Sequence, residues 1–126
     1  NKVASGGELA RIMLALKIVM AEKDHVPTLI FDEVDTGVSG RAAQRVAEKL
    51  HEVSKTKQVL CVTHLPQLAA LADTHLLIAK GEHDGRTFTT VEPLDLEGRK
   101  AELARIIGGT NITETTLKSA EEMLRR

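Results

Sequence analysis

The chain contains no tryptophan and no tyrosine, and only two phenylalanines, Phe31 and Phe88. Nucleic-acid bases therefore find almost no aromatic face to stack on. An excess of positive charge is missing too: the formal net charge is -1, too little for this chain alone to hold a phosphate backbone. Any DNA contact is expected to come from elsewhere. A single cysteine, Cys61, excludes an internal disulfide and fits a reducing compartment. It lies in the run Val59-Leu60-Cys61-Val62, which reads as a buried strand, where a thiol packs as a small hydrophobe. No apolar run reaches membrane-spanning length, because Lys17 interrupts the most hydrophobic helix, and no signal-peptide pattern opens the chain. What remains is an ordinary globular composition, 42% apolar and 28% charged. At 126 residues it is enough for one domain with a real core.

The most informative stretch runs from Thr28 to Gly40. Thr28-Leu29-Ile30-Phe31 reads as a short strand buried on both faces, bounded by Pro27 before it and glycines after it. Two adjacent carboxylates, Asp32 and Glu33, follow at its carboxyl end, the edge of an open α/β sheet where ligands bind. An apolar run ending in Asp-Glu has the form of a Walker B element. There the first acid helps to hold Mg²⁺ and the second orients or deprotonates an attacking water. The plainer alternative is a strand followed by an acidic turn.

Upstream, Ser5-Gly6-Gly7-Glu8 precedes a helix-period stripe of Leu9, Ile12, Met13, Leu16, Val19 and Met20. Ser-x-x-Glu there is a capping box, with the Ser5 hydroxyl accepting from the Glu8 amide. Two glycines in a first turn are poor helix formers, but without Cβ atoms they let an anion approach the helix amides. Cap and anion site are compatible readings. Downstream, a helix from Arg41 to Val53 carries Ala42, Val46, Ala47 and Leu50 on its inner face. A strand from Gln58 to Val62 follows it. Strand, helix, strand is a βαβ unit with parallel strands, so His64 falls at the same sheet edge as Asp32 and Glu33. Further on, Thr74 to Lys80 and Thr87 to Val91 read as a hairpin around Gly81–Gly85. A helix from Glu97 to Ile107 stops at Gly108-Gly109, and a last helix is capped by Thr113. The fold class expected is α/β, a mostly parallel sheet with flanking helices, followed by a β-hairpin and two helices.

A nucleotide site needs a phosphate cradle, G-x-x-x-x-G-K-[ST], and none occurs here. Either this is no nucleotide enzyme, or it is the downstream half of one whose cradle lies outside the chain. The start at Asn1, four residues before a motif, favours the second.

Taken together, Ser5-Gly6-Gly7-Glu8, Leu29-Ile30-Phe31-Asp32-Glu33 and His64 resemble, in this order, the signature, Walker B and switch histidine of ATP-binding-cassette ATPases. Glu8 and the run Asp32-Glu33-Val34-Asp35 are similar to the SMC/Rad50 branch. Val3 to Arg11, Phe31 to Gly40, Cys61 to Gln67 and Ile112 to Leu117 resemble the bacterial SMC-like DNA-repair ATPases across essentially the whole chain. The resemblance implies the C-terminal half of a P-loop head domain over residues 1–126, with ATP and Mg²⁺ as cofactors. Asp32 would join the metal's coordination sphere, Glu33 would activate water and His64 would contact the γ-phosphate. Ser5, Gly6, Gly7 and Glu8 would form the ATP-binding signature serving a second head across an ATP sandwich. The implied partners are the N-terminal half of the same head, with its Walker A cradle, the second head, and DNA through the full-length protein. The implied location is cytoplasmic and nucleoid-associated, with no membrane. Many relatives have an aspartate where this chain has Ser39, so that loop's role is not carried over. Two other classes stay open: a non-catalytic assembly module, and a metal hydrolase using Asp32, Glu33, Asp35 and His64.

Overall fold

The computed structural model describes residues 6–32 and 35–125. The chain splits into two compact units, Asn1–Leu71 and Ala72–Arg126, and each is described by itself.

The first unit runs α1 (Gly6–Lys23), β1 (Thr28–Asp32), α2 (Gly40–Ser54), β2 (Gln58–Val62) and α3 (Pro66–Leu71). Pro27 cannot continue α1, and its carbonyl accepts from the Gln58 amide at 2.9 Å. The Lys57 ammonium donates to the carbonyls of Asp24 and Val26, tying the turn before β1 to the start of β2. From there the two strands pair in parallel, Thr28 opposite Gln58 through Asp32 opposite Val62. Alternation along each strand then sends Leu29, Phe31, Val59 and Cys61 to one face. On that face Phe31, 1% exposed, meets Leu14, Ala47, Leu50 and Leu68 in the core.

Three expectations are corrected here. The strand β1 is covered on one face only: Ile30 is 66% exposed, and its neighbours Leu60 and Val62 on β2 are exposed with it. The helices of this unit pack on the Phe31 side. The stripe on α1 is likewise not the face that packs. Leu9, Ile12, Met13, Leu16, Val19 and Met20 are 48% to 58% exposed, whereas Leu14 and Ala21 are buried and Ile18 lies against the core. Because α1 is apolar on both sides, its period cannot choose between them; contact with α2 does. On α2 the buried residues are Ala43, Ala47, Leu50 and Val53, so the inner face passes through Ala43 rather than Ala42.

The second unit contains β3 (Leu76–His83), β4 (Arg86–Pro93), α4 (Leu96–Gly108) and α5 (Glu114–Leu124). The two strands are antiparallel, from Leu76 opposite Pro93 to His83 opposite Arg86. They are longer than the sequence predicted, and only Asp84 and Gly85 form the turn. Both take positive φ, 50° and 70°, the backbone of a tight hairpin turn that matches strand twist. Asp95 caps α4 by accepting from the Gly98 amide at 2.8 Å, and Gly109 closes it with φ 65°. Thr113 caps α5, with Thr116 completing a capping box, and Leu103, Ala104 and Ala120 are the buried contacts of the helices.

Candidate functional site

Parallel pairing decides the geometry of the site. Asp32 ends β1 directly beside Val62, which ends β2, so the segments leaving both strands start from one sheet edge. Neighbouring strands lie about 4.8 Å apart, so Thr63 and His64, just past Val62, leave from the edge that Asp32 occupies. Asp32 itself is exposed, on the uncovered face of the sheet with Ile30. His64 presents 77% of its side chain to solvent.

Beyond Asp32 the backbone folds into a turn in which the Val38 amide donates to the Asp35 carbonyl at 2.9 Å. Gly37 supplies a φ of 73° that a β-branched residue would not tolerate. Arg11 on α1 reaches the Gly37 carbonyl at 3.4 Å. The turn carries Asp35 inward, and it is the one buried charged residue among those described, 1% exposed. Its Oδ2 accepts from the Thr63 hydroxyl and from the His64 amide at 3.4 Å. The His64 Nδ1 stands 3.8 Å from the same oxygen. The Thr63 hydroxyl in turn accepts from the Leu65 amide at 3.0 Å. Nearby, burial first and then the negative charges of Asp35 and Asp32 push the Cys61 thiol up to about 11. The thiol therefore stays protonated at neutral pH and packs against the core, with none of the character of a nucleophile.

Of the residues singled out from sequence, the structure brings Asp32 and His64 to one edge. Gly6 and Gly7 open α1, and Glu8 sits exposed in its first turn. Ser5 and Glu33 lie outside the described residues, and with them the expected Ser5–Glu8 capping box. Among the described residues no three His, Cys, Asp or Glu side chains gather as a metal cluster. Asp35, which the metal-hydrolase reading requires as a ligand, is turned toward Thr63 instead. The part played by Asp35 and Thr63 is not visible in the sequence. Its only trace is a polar residue beside each motif, which any loop could supply.

No protein-family model matches the chain. Curated relatives do. The DNA repair protein RecN of Bacillus subtilis (strain 168) is 56% identical over 126 residues, all of this chain and 22% of that protein. RecN proteins of further bacteria follow, down to 46% identity over 98% of the chain in Rickettsia typhi. The chain belongs to the RecN family. It matches the C-terminal part of RecN and spans about 22% of the length of the relatives it resembles. Among solved structures, one from a study of ATP-driven dimerisation and DNA-stimulated activation of SMC ATPases aligns with a TM-score of 0.67. It is 29% identical and covers 86% of this chain and 65% of that one. The Smc head domain of Pyrococcus yayanosii, with a coiled coil and joint, aligns with a TM-score of 0.65 at 27% identity, over 95% of this chain and 19% of that one. The RecN segment thus has the mixed helix and strand architecture of an SMC head, with a small parallel sheet.

Proposed function

We propose that this chain is the C-terminal half of a RecN head domain of P-loop type, which binds and hydrolyses ATP as a dimer of heads and serves DNA double-strand-break repair and recombination. The observation that carries the reading is the parallel register of β1 and β2, which delivers Asp32 and His64 to the same edge. Asp32 is exposed there and fits a hard cation, while His64, equally open, fits a phosphate oxygen. Bound Mg²⁺ supplies charge neutralisation for the phosphoryl group in transfer. Within the chain, Asp32 would hold the ion, Glu33 would activate the attacking water and His64 would contact the γ-phosphate. The start of α1, at Ser5, Gly6, Gly7 and Glu8, offers amides to the nucleotide of the opposing head.

The uncovered apolar surfaces support an assembled head. Ile30, Leu60 and Val62 on the sheet, and Leu9, Ile12, Met13, Leu16, Val19 and Met20 on α1, are large apolar side chains left exposed. We assign them to the N-terminal half of the head, which also brings the Walker A cradle. DNA is reached through the full-length protein. No helix of the described residues is long and apolar enough to cross a membrane.

In the complete protein, Glu33→Gln is expected to keep ATP binding and lower turnover about a thousandfold, as loss of a general base does. Asp32→Ala is expected to weaken Mg²⁺-dependent binding, and Ser5→Arg to block ATP-dependent pairing more than nucleotide capture. Undiminished hydrolysis by Glu33→Gln removes Glu33 from the chemistry. A parent sequence without an upstream G-x-x-x-x-G-K-[ST] makes this segment an assembly module instead.

A further inference from the structure

His64 lies two residues beyond Val62, the last residue of β2 in the described register. A buried carboxylate meets its backbone there. Asp35 has no solvent to satisfy it, and burying such a charge is costly unless donors surround it. Among the described residues both donors that reach its Oδ2 belong to one short segment: the Thr63 hydroxyl, 28 residues away in sequence, and the His64 amide. The hydroxyl has a single proton. With that proton committed to Asp35 and its lone pair to the Leu65 amide, its orientation is determined on both sides. The His64 imidazole projects outward from this anchored backbone with Nδ1 facing the carboxylate at 3.8 Å. Nδ1 is thereby the end of the ring turned toward the carboxylate, and Nε2 the end turned away from it.

From this geometry we infer that Asp35 and Thr63 form a clamp that positions His64 for the reaction, joining the turn after β1 to the loop after β2. The inference rests on the ATPase reading given above. Neither residue touches the nucleotide in it; both act through His64.

Steady-state ATP hydrolysis by the full-length protein tests the clamp. Thr63→Val keeps the shape of the side chain and removes only the hydroxyl. It is expected to lower kcat about tenfold with KM for ATP changed by less than about twofold, the pattern of an interaction expressed in the transition state. Thr63→Ser, which restores the hydroxyl, is expected to return kcat to within about twofold of wild type. In a His64→Ala background, Thr63→Val is expected to have almost no further effect, because two residues that act as a unit are not additive. Asp35→Asn, which keeps one acceptor, serves as the second entry to the same cycle if Thr63→Val folds poorly. A clamp is excluded by wild-type kcat in Thr63→Val, or by the same fractional loss whether or not His64 is present. No turnover in the wild type overturns the ATPase reading together with the clamp, whereas full turnover in His64→Ala removes His64 from the reaction and the clamp with it. A His64→Ala loss beside an active Thr63→Val overturns the clamp alone.

Discussion

The two units differ in what their long-range ties connect. In residues 72–125 the helix ends are tied locally: Asp95 reaches three residues on to Gly98, Thr113 exchanges hydrogen bonds with Thr116, and Arg105 pairs with Glu102 one turn back. Longer ties run from Arg99 to the Ala72 carbonyl and from Lys100 to Glu121. In residues 6–71 the ties that matter cross the sequence. Lys57 binds the carbonyls of Asp24 and Val26, Pro27 receives the Gln58 amide, and Asp35 holds Thr63. Local ties set where helices begin and end. Long-range ties set which loops meet: in the first unit Asp35 to Thr63 lies at the sheet edge of the proposed chemistry, and the others close the opposite end of the strands.

The contrast can be broken most forcefully at the cores. Phe31→Ala removes a large wholly buried ring and is expected to cost about 3–5 kcal/mol. Hydrogen exchange on the full-length protein would show the loss of protection in β1, β2 and α2, with α4 and α5 unchanged. Equal loss in both units would make them one cooperative block and dissolve the comparison. Leu103→Ala is the counterpart in the second unit, expected to cost about 2–5 kcal/mol and to register in α4 and α5 alone.

Smaller effects sharpen the local side. Thr113→Ala removes the capping box and is expected to cost about 1 kcal/mol, read as faster exchange confined to α5. His75, just before β3, gives the finest test. Burial first, then the positive charge of Arg99, holds its pKa below the ordinary 6.5. Below that pH the unfolded chain takes up a proton that the folded one resists, so the second unit loses stability as pH falls from about 6.5 and gains nothing above it. His75→Gln is expected to flatten this limb of a pH series of exchange rates, and an unchanged slope would assign it to another group.

Legibility followed the same division. Thr113 as a cap, Gly108-Gly109 as a helix stop and Pro27 as a break were readable because each acts through its immediate neighbours. The parallel β1–α2–β2 arrangement was readable because the lengths of strand and crossover leave little choice, and with it the common edge for Asp32 and His64. The exposed stripe of α1 was not, since an apolar pattern says that a surface is to be covered without saying by what. Both faces of β1 read as buried for the same reason, and the structure covers one.

By itself, then, the sequence determined the helix limits, the order of the three motifs and the membership of the RecN family, all of which depend on residues near one another in the chain or on their identities. Tertiary structure alone decided which side of α1 packs and that Asp35 turns inward to Thr63. Those outcomes depend on groups brought together across 28 residues by a strand register, and no neighbour in sequence carries a record of them.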